Sequence, residues 1–224
     1  MQSYVRQAIL FDLDGVLVDS TACAGRIWKG WARENGLDPE YMVQVAHGRP
    51  TIETVRMVAP NLNAEAETAK IEDREVNDVD GLRAIPGAKE LLDSLPAERF
   101  AIVTSGSRRL ATARLKAVGI RVPDRMIAAD DIVHGKPDPE PYLKGAQLIG
   151  FPPESCLVFE DSPPGIAAAK AAGMTVIAFP TTYPVEALSE ADFTTESFAS
   201  VRLEVLSCGE LKLEVASLEP SLCP

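Results

Sequence analysis

The sequence has few of the residues that usually organise metals, disulfides or membranes. Only four of its 224 residues are cysteine and two are histidine. Cys23, Cys156, Cys208 and Cys223 are scattered, with no C-x-x-C pair, so neither a zinc site nor a disulfide framework is suggested. They read as buried fillers or inert surface thiols. No stretch approaches the roughly 18 consecutive apolar residues of a membrane span. Residues Met1–Arg6 run directly into a short apolar strand and then acidic residues, unlike a signal peptide, and the cytoplasm is the default location. Positive charge is scarce too. Lys and Arg number 22 against 33 Asp and Glu, a net charge of −11. Such a surface repels nucleic acid and anionic membranes. A small anion could still bind where a few local donors and a metal overcome the global field. Repeats and low-complexity tracts are absent. The phosphate-loop pattern G-x-x-x-x-G-K-[ST] is missing as well, because Gly135-Lys136 runs into Pro137.

What is present suits a soluble α/β protein. A hydrophobic fraction of 46% and a charged fraction of 25% allow an ordinary core, and the length suits one domain with a modest insertion. Four short apolar runs stand out: Ala8-Ile9-Leu10-Phe11, Phe100-Ala101-Ile102-Val103, Cys156-Leu157-Val158-Phe159 and Thr175-Val176-Ile177-Ala178-Phe179. Runs of this length without alternation fit strands buried on both faces of a parallel sheet. Helical patterns precede each one, as the α/β class requires. Ligands of such sheets bind at the carboxyl ends of the strands. The functional candidates are therefore the polar residues that close the runs: Asp12, Asp14, Thr104, Ser105, Glu160 and Asp161.

The stretch from Ser20 to Ala84 reads differently. Helices are expected around Ala22–Asn35, with Trp28 and Trp31 on a buried stripe, around Thr51–Val58 and around Ala64–Val76. Gly36 and Pro39 punctuate the first, and Pro86-Gly87 marks re-entry into the core. At the far end, Val201, Leu203 and Val205, then Leu211, Leu213 and Val215, alternate with polar residues about Cys208-Gly209-Glu210. Period-two alternation predicts an antiparallel hairpin with one wet face.

Chemistry concentrates in four segments. Phe11-Asp12-Leu13-Asp14-Gly15 sets two carboxylates two residues apart after a buried strand and before a turn. This resembles the first motif of the haloacid dehalogenase superfamily. Val103-Thr104-Ser105-Gly106, Gly135-Lys136-Pro137-Asp138-Pro139 and Phe159-Glu160-Asp161-Ser162-Pro163-Pro164-Gly165 resemble its second, third and fourth motifs, in the same order. His47-Gly48-Arg49, together with the segment from Gly135 to Gly145, resembles the sugar phosphatases and glycerol-phosphate phosphatases of that superfamily.

The resemblance implies a Rossmann-like doubly wound core over residues 1–19 and 85–224, and a helical C1-type cap over residues 20–84. It further implies a Mg²⁺-dependent phosphatase of small phosphorylated metabolites, with Asp12 as nucleophile and Asp14 as general acid and base. Lys136 would stabilise the phosphoryl group. Thr104 and the backbone amides of Leu13, Asp14, Ser105 and Gly106 would complete its cradle. Mg²⁺ would be held by Asp12, the Asp14 carbonyl, Asp161 and Glu160, and substrate would be met by Arg49 and His47 of the cap. Ser162 reads equally well as a helix N-cap and as a metal or phosphate contact. A monomer suffices. The rival reading is a mutase of the β-phosphoglucomutase type, but such enzymes carry a histidine soon after the first motif, and Ser20–Gly25 holds none.

Overall fold

The computed structural model describes residues 1–46 and 49–217. Its strands and helices run in the order β1 (Gln2–Arg6), β2 (Ala8–Phe11), β3 (Val18–Asp19), α1 (Thr21–Glu34), α2 (Pro39–Ala46), α3 (Thr51–Val58), α4 (Ala64–Asn77), β4 (Arg83–Ala84), α5 (Ala88–Ser94), β5 (Phe100–Val103), α6 (Arg108–Ala117), β6 (Met126–Ile127), α7 (Glu140–Ile149), β7 (Cys156–Glu160), α8 (Pro163–Ala171), β8 (Thr175–Ala178), β9 (Phe193–Thr194), β10 (Val201–Val205) and β11 (Leu211–Val215). Among the described residues no helix is long and apolar enough to cross a membrane.

The four apolar runs form the inner part of a parallel six-stranded sheet of order β6-β5-β2-β7-β8-β9. Successive strand residues face opposite sides of a sheet. Ile9 and Phe11 accordingly join Ile102, Leu157, Phe159 and Ile177 in one core, whereas Ala8 and Leu10 join Val103, Val158 and Val176 in the other. Helices α5 and α6 cover the first face, α7 and α8 the second. Every residue of β2, β5 and β7 is buried. That double burial is why these runs lack alternation.

The predicted hairpin is present, with Val201 opposite Val215 and Val205 opposite Leu211. It has a third member that its sequence does not announce. β1 pairs antiparallel with β11, Arg6 opposite Leu211. The inner face of this small sheet closes the first core, where Phe11, Phe159, Phe179 and Phe198 meet with ring centroids 4.7–5.8 Å apart. Burying each such ring stabilises the fold by about 1.5–3 kcal/mol.

Helices α1 to α4 lie between β3 and β4 and have a core of their own, built from Cys23, Ile27, Trp28, Trp31, Met42, Val55 and Ile71. The two strands that lead in and out pair with each other, Val18 with Ala84 and Asp19 with Arg83. One helix of this insertion, α2, escapes the sequence reading. Gly36 and Pro39 look like a break, yet Asp38 accepts from the amides of Glu40 (2.9 Å) and Tyr41 (3.3 Å), and Pro39 opens the new helix. Proline fits that first position because its missing N–H would have had no partner there.

Candidate active site

Strands β2, β5 and β7 run parallel, so the residues after their carboxyl ends collect at one edge of the sheet. Asp12 continues β2, its amide donating to the Phe159 carbonyl at 3.0 Å, and Thr104 continues β5, donating to Ile127 at 2.9 Å. Glu160 ends β7 and Asp161 comes next. Lys136, on the loop before α7, enters between them. Its Nζ donates to Asp12 Oδ1 at 2.5 Å, to Glu160 Oε1 at 2.6 Å and to the Val103 carbonyl at 3.3 Å. The lysine is 2% exposed and Glu160 is fully buried.

Glu160 is saturated with donors. Oε1 also accepts from the Tyr142 hydroxyl (2.7 Å), while Oε2 accepts from the Asp161 amide (2.9 Å), the Ser162 amide (3.1 Å) and Ser162 Oγ (3.0 Å). Burial would raise its pKa, but Lys136 and these donors outweigh that and lower it. Asp12 behaves oppositely. Burial, reinforced by Glu160 and Asp14, pushes it up to about 8 despite Lys136. Asp161 is also pushed well above the carboxylate range, by burial and then by Asp12 and Glu160. Lys136 itself is raised, the two carboxylates outweighing its burial.

These shifts bear on metal binding. Asp12, Glu160 and Asp161 each offer an oxygen, all within 4.8 Å of one another. The donors are hard oxygens of the kind Mg²⁺ prefers. The single charge of Lys136 is shared by Asp12 and Glu160, and among the described residues no cationic side chain pairs with Asp161. A divalent cation beside Asp12 and Asp161 would favour their charged forms, which burial disfavours. With both its oxygens engaged, Glu160 fits a bracing role behind them rather than a direct one.

Asp14, two residues on, lines the same cavity but has different partners. Its Oδ1 accepts from Ser20 Oγ at 2.7 Å and its Oδ2 from Arg114 Nη1 at 2.7 Å. Arg114 comes from α6, and its Nη2 donates to Glu75 of α4 at 3.0 Å. Burial pushes Glu75 up to about 7, with Arg114 opposing and Asp14 adding to the rise. Two glycines allow this crowding. A Cβ on Gly15, whose φ is +80°, would lie 1.8 Å from Asp161 Oδ2, and one on Gly165 would lie 1.7 Å from Glu160 Oε1.

A cavity of about 80 Å³ opens over these groups. Asp12, Asp14, Thr104, Ser105, Gly106, Asp161 and Ser162 line its floor, and Thr21, Trp28, Arg49, Thr51 and Glu75 of the insertion line its roof. Trp28 is thus both packed, edge-on to Trp31 at 5.7 Å, and a wall of the cavity. Gly106 donates its amide to Thr104 Oγ1 at 3.1 Å, which orients that hydroxyl. Leu13 is buried, and its carbonyl accepts from Leu17 and Val18 to close the turn after Asp12. Ser162 caps α8, accepting from the Gly165 amide at 3.3 Å, and also reaches the cavity. Arg49 is exposed and rests on Met57 Sδ at 3.6 Å. His47 lies outside the described residues.

Ser20, Glu75, Arg114, Tyr142 and Thr182 are functional-site neighbours that the sequence reading passes over. Two of them carry a signal. Arg114 falls on the buried stripe of α6 with Leu110, Ala111 and Leu115, and Glu75 on that of α4 with Ala64 and Ile71. A charge at a core-facing position must be paired, so each could have been flagged.

A family model described as haloacid dehalogenase-like hydrolase matches residues 7–173. Among curated relatives, the hexitol phosphatase A of Escherichia coli (strain K12) is 38% identical over 213 residues, covering 93% of this chain and 99% of the relative. The glycerol-1-phosphate phosphohydrolase 2 of Saccharomyces cerevisiae is 36% identical, covering 88% of this chain and 84% of the relative. Among solved structures, a hydrolase from Pseudomonas syringae superposes with a TM-score of 0.77 at 26% identity, covering 86% of this chain and 94% of that one.

Proposed function

The chain belongs to the haloacid dehalogenase-like hydrolases, and on that footing we propose that it hydrolyses the monophosphates of small polyols and sugars through an aspartyl-phosphate on Asp12. The observation that carries the reading is the contrast between the two aspartates of one turn. Asp12 Oδ1 is clamped by Lys136 on the cavity floor, and Asp14, which lines the same cavity, is bound instead by Ser20 and Arg114 beneath the insertion. The names of the relatives, a hexitol phosphatase and a glycerol-1-phosphate phosphohydrolase, support the substrate class.

In the first step Asp12 Oδ2 attacks phosphorus, the bond from phosphorus to the ester oxygen breaks, and Asp14 gives its proton to the departing alkoxide. In the second, water attacks the acyl phosphate, Asp14 takes a proton from it, and inorganic phosphate leaves with Asp12 restored. Lys136 and the Thr104 hydroxyl, with amides of the Leu13–Asp14 and Ser105–Gly106 turns, meet the charge on the phosphoryl oxygens; such preorganised donors need no rearrangement as the reaction proceeds. Mg²⁺, held by Asp12, the Asp14 carbonyl and Asp161 and braced by Glu160, would lessen the repulsion between an anionic nucleophile and an anionic ester. Residues 20–84 act as a cap on a core of residues 1–19 and 85–224. The pairing of β3 with β4 sets both of its connections side by side as a hinge, and the cap excludes bulk water from the acyl phosphate. Arg49 and His47 of the cap are the proposed contacts to substrate hydroxyls.

Phosphate release from hexitol, hexose and glycerol monophosphates with Mg²⁺, beside an Asp12→Asn control, tests the reading. Turnover that vanishes in the control is expected. Turnover that survives it would dismiss Asp12 as nucleophile. Incubation with a sugar bisphosphate separates the hydrolase from a mutase, which would isomerise monophosphate without releasing phosphate.

A further inference from the structure

We propose that Arg114 is a positioning residue for Asp14, and that Glu75 of the helical insertion holds Arg114 in place, so that docking of α4 on α6 orients the general acid. The inference rests on the assignment of Asp14 given above. A buried charge among apolar neighbours is costly unless it is paired. Arg114 is 5% exposed and sits on the α6 stripe between Leu110, Ala111 and Leu115, where a leucine would pack without that cost. What the arginine supplies instead is a planar fork with two separate donors. One donates to Asp14 Oδ2 at 2.7 Å, the other to Glu75 Oε1 at 3.0 Å.

The second oxygen of Asp14 is fixed from another direction. Ser20, the residue before α1, donates to Oδ1 at 2.7 Å. Both oxygens of Asp14 are therefore held by groups tied to the insertion, Ser20 at its entry and Arg114 through Glu75 near its exit. The Glu75 carboxylate is itself 4% exposed and lies on the only face of α4 that is buried with Ala64 and Ile71. An exposed pair, Arg109 with Asp73, spans the same two helices but leads to no group in the cavity. With α4 docked, the Asp14 carboxyl faces the leaving oxygen in one orientation. With α4 displaced, Arg114 loses its second anchor and the orientation loosens. Proton donation is thereby tied to the insertion being seated, whereas the nucleophile on the floor is not.

The leaving group makes this testable. An alkoxide departs only with a proton, and a nitrophenolate departs without one. Initial-rate kcat/KM, which reports the step that forms the acyl phosphate, is measured for the alkyl monophosphate turned over best in the panel and for p-nitrophenyl phosphate. Arg114→Lys, Arg114→Met and Glu75→Gln are compared with Asp14→Asn. Because Arg114→Met strands the Glu75 carboxylate, the double variant Arg114→Met/Glu75→Met is made alongside it. Arg114→Met and the double variant are expected to lose roughly 10²-fold on the alkyl ester, the usual scale of general acid catalysis, and to change by less than about threefold on the nitrophenyl ester. Arg114→Lys and Glu75→Gln should show the same selective loss to a smaller degree. In an Asp14→Asn background, Arg114→Met should add nothing further, since the two act as one unit. Equal losses on both esters would assign Arg114 to phosphate binding or folding alone and overturn the proposal. Losses confined to Arg114 variants, with Glu75→Gln and the wild type alike, would overturn the link to the insertion. If Asp14→Asn itself fell equally on both esters, the proposal would fail together with the reading of Asp14 on which it stands. The Asp12→Asn control keeps that case apart from the loss of the nucleophile.

Discussion

Two buried cations serve two aspartates that stand two residues apart, and they are built from different parts of the molecule. Lys136 joins Asp12 to Glu160, and all three belong to the α/β core, at the ends of β2 and β7 and in the loop before α7. Arg114 joins Asp14 to Glu75, which belongs to the helical insertion. The lysine presents a point charge to two oxygens at once, and the arginine a fork with one carboxylate on each prong. The first assembly draws on nothing in the helical insertion. The second is complete only when two folding units are in contact. On the proposed mechanism that division would give a constant nucleophile and an acid that is set only when substrate is enclosed.

The largest effect that would sharpen the contrast comes from Lys136→Ala. It leaves Asp12 and Glu160 buried without their cation, which costs about 3–5 kcal/mol, and it should lower kcat/KM on every ester by at least about 10²-fold. Urea unfolding and initial rates on the folded fraction check both. Near-normal turnover on that fraction would remove Lys136 from the phosphoryl site. Metal comes next. Mg²⁺ at about a hundred times its Kd should stabilise the wild type by about 2.7 kcal/mol, and Asp161→Asn should abolish most of that gain while Asp14→Asn leaves it largely intact. Asp12 is held up to about 8 and Asp161 is raised as well, so binding must displace protons from them. The Mg²⁺-induced rise in Tm should therefore be greater at pH 8 than at pH 6, and an equal rise at both would count against these two ligands.

The insertion side has its own pH signature. Glu75 is raised from 4.5 to about 7, so the folded state binds more protons than the unfolded chain between those values. The stability it contributes is full below pH 4.5 and is lost as the pH climbs through about 7, a change on the order of 3 kcal/mol. Subtracting the Glu75→Gln profile from the wild-type profile isolates this slope, and parallel profiles would show that Glu75 titrates normally. The smallest effect belongs to the exposed partner of the same helix pair. Arg109→Ala breaks the ion pair to Asp73, both side chains being more than half exposed. It should cost under about 1 kcal/mol and leave the discrimination between alkyl and nitrophenyl esters unchanged.

The core was the most legible part of the chain because its strands are buried on both faces. β2, β5, β7 and β8 read directly as uninterrupted apolar runs. The two-residue strands β3, β4, β6 and β9 carry too few residues to show a period, and β1 has no apolar alternation strong enough to declare its pairing with β11. Residues that close strands, such as Asp12, Thr104 and Glu160, could be picked out by position, and the fold brings them to one cavity together with Asp14, Lys136 and Asp161. The supporting residues were harder. Tyr142 looks like any core aromatic on α7, and its hydroxyl contact with Glu160 appears only when α7 and β7 are in place. Arg114 and Glu75 were readable as charges on buried stripes, but which carboxylate each would meet depends on how α4 lies on α6.

The small sheet that closes the first core also orders events in time. Its outer strand β1 pairs with β11, joining Arg6 to Leu211 across some two hundred residues. A ribosome adding roughly 5–20 residues per second would leave that first strand waiting about 10 to 40 seconds for its partner. From the completion of β7 to the arrival of Leu211, some fifty residues or about 3 to 10 seconds at that rate, the phenylalanine face of β2 and β7 is without the inner side of its cover. The nascent chain is therefore most open to wrong association on that face, at a moment when the strand ends that carry Asp12 and Glu160 are already made.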